Sequence, residues 1–177
     1  MKRLSLVCGL FLAACAPVDS SSGTEPLTDG DTFLAVDSSF YGFRTWDAFP
    51  IPAGVNGSIH TAGTRTTYIN HIPKTGSTSF PVGTIIVKES DTEALVDRQV
   101  FARVKRGGTY NAEGAAGWEW FELKNVDAER STRIWRGVGP PVGEKYGGDP
   151  DGGCNGCHGA ATSNDFVLTE PLLLKNF

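Results

Sequence analysis

The chain has 177 residues, 40% of them hydrophobic and 20% charged, with a formal net charge of −4. That length accommodates one domain with its own core and is short for two. Acidic residues outnumber basic ones and no Lys/Arg run occurs, which argues against a nucleic-acid partner, while 22 glycines favour turns and short strands over long helices.

Met1, Lys2 and Arg3 open the chain with positive charge, and residues 4–14 form an apolar run. Such a run falls short of the ~20 residues that span a bilayer core and reads as a secretory signal over residues 1–14. Its ending, Leu12-Ala13-Ala14-Cys15, is similar to the lipobox of bacterial lipoproteins. Cys15 is then a lipidated first residue on the periplasmic side of a bacterial membrane, held by about 0.8 kcal/mol per buried methylene. An ordinary signal peptide cut nearby is the alternative. Processing removes Cys8 and the only methionine, Met1, so the folded body keeps Cys154 and Cys157 in an oxidising compartment.

Residues 15–31 are polar and lack periodicity, as expected of a flexible tether, and the domain proper covers 32–177. Residues 32–50 are rich in aromatics and have room for a short helix before Pro50. Strands are expected at 64–70 (TRTTYIN), 83–89 (GTIIVKE), 99–105 (QVFARVK), 117–123 (GWEWFEL) and 133–138 (RIWRGV), all β-branched or aromatic and bounded by turn residues. Alternation places Ile85 and Val87 on one face, and Thr84, Ile86 and Lys88 on the other. With short spacings and no long amphipathic helix, the expected class is mainly β (α+β): a single antiparallel β-sheet domain with short helices. A Gly/Pro-rich loop follows Gly137, and the tail LTEPLLLKNF is expected to pack against the domain.

The tightest chemical signal is CNGCH, with Cys154, Cys157 and His158. Cys-x-x-Cys-His is the attachment signature of c-type haem. Two thiols one helical turn apart reach the two vinyl groups, and the next residue offers its imidazole to the iron as proximal ligand. Structural zinc wants four ligands, and only His60 and His71 remain as distant partners. A thioredoxin-like pair belongs beside a βαβ unit that the pattern lacks. A plain disulfide is the third alternative. With no methionine in the mature body, His/Met ligation is impossible. An open distal side is therefore expected, with His60 or His71 as the other candidates for the sixth position.

TRTTYIN, FPVGTIIVKE, VFARVKR with GWEWF, and CNGCH followed by NDFVLT, in that order over residues 64–169, resemble the cytochrome P-460 family and its relatives, the beta-type cytochromes c-prime. The resemblance implies a mainly β fold, a homodimer, and one covalent haem c near the C-terminus. It also implies hydroxylamine oxidation or nitric oxide binding as the activity, with a periplasmic electron-transfer partner. Lys88 matches the lysine that cytochrome P-460 members join to the porphyrin, and Arg65 matches a distal-pocket arginine able to bond an iron-bound nitrogen oxide or a propionate. Hydroxylamine-oxidising members carry a glutamate in the strand that here reads VFARVKR. The aligned positions are Phe101 and Ala102, which take no proton. Glu113, in the loop that follows, is the remaining candidate carboxylate, and an apolar wall at Phe101 favours a neutral diatomic. Trp118, Trp120 and Trp135 are expected in the core or a dimer interface. Asp165 is expected to cap a turn or to orient the outer nitrogen of His158. An electron-transfer cytochrome with a non-methionine sixth ligand is the competing function, and a haem-bearing accessory domain without turnover is a third.

Overall fold

The computed structural model describes residues 31–53, 63–91, 94–144 and 153–177. The signal segment, Cys15, nearly all of the tether and His60 lie outside the described residues.

Six strands form one antiparallel sheet: β1 (Asp47–Ile51), β2 (Arg65–Ile69), β3 (Ile85–Ser90), β4 (Val100–Lys105), β5 (Trp118–Asn125) and β6 (Ser131–Gly137). They pair in chain order, a meander in which each strand bonds its sequence neighbours. Every neighbouring pair runs antiparallel, so the ladder is antiparallel throughout. The five expected strands occur within two residues of their expected ends. The addition is β1. Two 3₁₀ turns, Asp37–Phe40 and Phe43–Thr45, occupy the segment where a short helix was expected, and extended chain then carries Pro50 opposite Thr66. Proline cannot donate to a ladder on both sides, and β1 tolerates it because it is an edge strand.

Because side chains alternate, the sheet presents two faces and both are covered. One face carries Tyr68, Ile85, Val87, Val100, Val104, Phe121 and Leu123, under Ala35, Phe40 and Phe43 of the N-terminal segment. Edge-to-face pairs Phe40–Phe121 and Phe43–Tyr68, each with centroids 5.1 Å apart, lock that layer. The other face carries Ile69, Ile86, Trp118, Trp120 and Trp135, under Phe80 and the C-terminal residues Val167, Leu172 and Leu174. Burial of each such side chain contributes about 1.5–3 kcal/mol. Both layers are hydrophobic, and on the second Lys88, Arg103 and Lys105 share the face with Ile86 and Phe101. Buried Leu172 and Leu174 explain why a ten-residue end with only two short 3₁₀ turns stays docked.

Above the second face sits the one α-helix of the described residues, α1 (Cys154–His158), a single turn formed by CNGCH. At that length a helix has no stability of its own and is held by tertiary contacts.

Candidate functional site

A cleft of about 480 Å³, open to solvent on one side, lies between α1 and the second face. Ile86 and Lys88 of β3, Phe101 and Arg103 of β4, Trp120 of β5 and Trp135 of β6 form its wall, and Cys154 and His158 close it from the helix. Cys157 follows Cys154 one turn on, half-buried and outside the lining; no disulfide joins the two.

The helix is pinned by the residue between its cysteines. Asn155 Oδ1 accepts hydrogen bonds from Asn111 Nδ2 (2.9 Å), Trp120 Nε1 (3.1 Å) and the Ala115 amide (3.2 Å). Its Nδ2 donates to Asn111 Oδ1 (2.8 Å) and to the Val138 carbonyl (3.1 Å). One amide thus ties α1 to β5, to the loop before it and to the end of β6. Gly114 makes room for this: a Cβ there would lie 2.3 Å from the Asn155 amide group.

His158 is oriented from below. Its Nδ1 lies 2.9 Å from the Phe166 carbonyl, and its ring rests on Trp120 at 4.7 Å. Donation from Nδ1–H to that carbonyl fixes the tautomer that leaves Nε2 as the basic nitrogen. The carbonyl is aimed by two consecutive left-handed residues, Asp165 (φ 46°) and Phe166 (φ 63°). Such backbone costs on the order of 1–3 kcal/mol per residue and persists where the surroundings over-determine it. Here Lys105 Nζ donates to Asp165 Oδ1 (2.6 Å), the Phe80 amide to Oδ2 (2.9 Å), and the Trp118 indole to the Asp165 carbonyl (2.8 Å). Asp165 therefore holds the turn, and the carbonyl of the next residue meets the imidazole.

Lys88 stands across the ladder from Phe101, sharing the cleft wall with Ile86 as alternation required. No hydrogen bond or ion pair to it occurs among the described residues. Exclusion of water first, then the charges of Arg103 and Arg65, push the ammonium down to about 7. Lys88 is half-buried, because its stem is enclosed while the cleft opens beside it. The amine therefore gives up its proton far more readily than a solvated lysine does. Arg65 is buried on the same face of β2 but does not line the cleft, and desolvation lowers its affinity for the proton.

Other candidates lie elsewhere. Glu113 is exposed on the turn before β5 and does not line the cleft. His71 is half-buried beside Thr84, with Nε2 3.3 Å from the hydroxyl, and also lies outside the lining; burial depresses its pKa. Two residues that sequence reasoning passed over are part of the site, Arg103 in the wall and Asn155 under the helix, and Trp120 and Trp135, expected in the core or a dimer interface, are core residues that also line the cleft. Glu122, outside the lining, is the cross-strand neighbour of Phe101 and accepts the Trp135 indole N–H at 2.7 Å. Trp135 exemplifies the missed signal. Its strand alternation was legible, but nothing local told a core tryptophan from a cleft one.

The donor set discriminates among the alternatives for the two cysteines. Among the described residues no three of His, Cys, Asp and Glu converge as a metal-binding group, so a zinc set is not assembled there. A meander with no βαβ unit is not a thioredoxin framework. None of the helices in the described residues is long and apolar enough to cross a membrane. Comparison with protein-family models, curated proteins and solved structures returns no match.

Proposed function

We propose that this chain is an exported monohaem c-type cytochrome resembling cytochrome P-460. In this reading Cys154 and Cys157 carry the thioether links, His158 is the proximal ligand, and the protein is held at a periplasmic membrane face through lipid on Cys15. The observation that carries it is the joint placement of Cys154 and His158 over a cleft whose wall contains Lys88 and Phe101. The residues fit the group chemically. Thiols and imidazole sit on one helical turn, the imidazole is oriented through its outer nitrogen, and the floor is tryptophan and isoleucine. Arg103 and Lys88 supply positive charge on the same wall, suited to carboxylate side arms.

Bound there, haem would supply an iron centre with an exchangeable position. Phe101 keeps the wall beside Lys88 apolar and excludes water, which favours a small neutral nitrogen species such as nitric oxide. Neither Glu113 nor Glu122 lines the cleft, so no carboxylate of its lining offers the proton acceptor that hydroxylamine oxidation would need. Hydroxylamine therefore ranks below nitric oxide as the ligand. Electron transfer with His71 completing the iron has no support in the cleft lining.

The test is expression of the full chain with c-haem maturation machinery, followed by haem staining on a denaturing gel and spectra with and without nitric oxide. Covalent haem that disappears in the Cys154→Ser, Cys157→Ser double variant, with a spectrum that responds to nitric oxide, is the expected outcome. A six-coordinate low-spin spectrum indifferent to nitric oxide sinks the open site, and a chain that takes up no haem sinks the reading itself. A red-shifted Soret band abolished by Lys88→Ala would identify a lysine–porphyrin bond.

A further inference from the structure

Arg103 is the charged side chain buried directly against the CNGCH helix. It is 5% exposed at the centre of β4, enclosed by the C-terminal segment. Nη2 donates to Thr169 Oγ1 (3.4 Å) and Nη1 to the Phe166 carbonyl (3.1 Å), and Nη1 also lies 3.2 Å from His158 Nδ1. His158 Nδ1 is itself 2.9 Å from that same carbonyl. Two N–H donors, one of them cationic, thus converge on one acceptor.

The energetics of that triangle are specific. A carbonyl that already accepts from a guanidinium has less electron density to offer the imidazole N–H. A ring N–H that is pulled less strongly leaves its other nitrogen less basic. The guanidinium charge, a few ångströms from the ring in a poorly solvated place, further opposes any imidazolate character and any added positive charge nearby. An arginine that served only to fasten the C-terminal segment would need no contact with the imidazole. An apolar side chain of similar volume would do that at lower desolvation cost. No carboxylate hydrogen-bonds Arg103 among the described residues; Asp165, the nearest acid acting on it, bonds Lys105 and the Phe80 amide.

We infer that Arg103 is a positioning residue that sets the orientation and the electron-donor strength of His158 through the Phe166 carbonyl they share. It thereby weakens the bond from His158 to iron and raises the reduction potential of that iron. This inference rests on the haem reading above. It adds to that reading a tuning device on the proximal side, supplied by the sheet rather than by the attachment motif.

The experiment uses the full-length protein carrying covalent haem, as wild type, Arg103→Lys and Arg103→Gln. Midpoint potential is read by spectroelectrochemistry, and the iron–histidine stretch of the ferrous protein by resonance Raman. Arg103→Gln is expected to lower the potential and raise the stretching frequency. Arg103→Lys, which keeps the charge, is expected to stay close to wild type in potential. Haem attached with both readouts unchanged in Arg103→Gln overturns the role of Arg103 and leaves the haem reading standing. A wild type that attaches no haem removes both. One measurement needs no variant: in the diamagnetic ferrous carbon monoxide form, the His158 ring N–H is expected to exchange slowly and to show a cross-peak to guanidinium protons. Absence of that cross-peak overturns the inference even if both variants fail to fold.

Discussion

Lys88 illustrates how one residue reports its surroundings. Its ammonium is desolvated and faces two guanidiniums, so its proton is released at about 7 in the folded protein against 10.5 for an unperturbed lysine. The folded chain therefore binds fewer protons than the unfolded chain between those values. Its stability rises with pH across that window, by about 1.4 kcal/mol per pH unit from this group, and the penalty is fully present below pH 7. In Lys88→Met this contribution vanishes, so the variant gains over wild type at pH 7 and the gain shrinks toward pH 10. Denaturant unfolding of the chain without cofactor, at pH 7, 8, 9 and 10, measures it. Parallel pH profiles for the two proteins would show that Lys88 is solvated. Lys88 was identifiable in the sequence as a cation on the Ile86 face. Its perturbation was not, since the charges responsible come from Arg65 and Arg103 on the flanking strands.

At the scale of elements, α1 is a single turn that stands because other elements hold it. Asn155→Ala deletes five hydrogen bonds and strands the Trp120 indole and the Ala115 amide, at a cost of about 2–3 kcal/mol. A thermal melt that leaves the variant within a degree of wild type would contradict this. Gly114→Ala is expected to act in the same direction, because the added methyl displaces the same amide. The left-handed turn after α1 separates two effects at one position. Asp165→Ala loses the Lys105 ion pair and the acceptor for the Phe80 amide, for roughly 3–5 kcal/mol. Asp165→Asn keeps an acceptor and a side chain tolerant of positive φ, so it is expected to lose clearly less. Equal losses in urea denaturation would assign the stability to charge alone. That Asp165 caps a turn was readable from NDFVLT; that the turn presents the Phe166 carbonyl to His158 was not.

Considered whole, the molecule is a meander sandwiched between its own two ends. The N-terminal segment is fastened by Arg44, which pairs with the fully buried Glu89 of β3, where Arg98 (3.4 Å) and Asn125 Nδ2 (2.9 Å) also converge. A second clasp joins Arg136 to Glu119 (2.6 Å) and to the Ala35 carbonyl (2.9 Å). Glu89→Ala leaves Arg44 without its main acceptor and removes the acceptor of a buried amide. It is expected to destabilise the fold by about 3–5 kcal/mol, while the cleft on the opposite face keeps its lining. Urea unfolding checks the first part. On the proposed haem reading, uptake by the folded fraction, undiminished per molecule, checks the second, and a parallel loss of uptake would mean that the two faces are not independent.

Local pattern by itself determined the class of the fold and the grouping of Cys154, Cys157 and His158. Alternation in GTIIVKE and QVFARVK sorts residues to faces over two-residue steps, and Cys154, Cys157 and His158 are one contiguous turn. Both depend only on neighbours in sequence. Tertiary structure decided what those faces meet. In QVFARVK the apolar residues Val100, Ala102 and Val104 fill one face, so Phe101, Arg103 and Lys105 read locally as the solvent side. They are enclosed because residues about 60 positions later fold back over them, and the long-range contact of Arg103 with His158 and Phe166 follows from that closure. Edge position likewise decided that Pro50 lies in a strand, since only the absence of an outer neighbour makes its missing N–H harmless. Short-range periodicity fixes which way a side chain points; what waits there is set by chain closure over distances that no local pattern encodes.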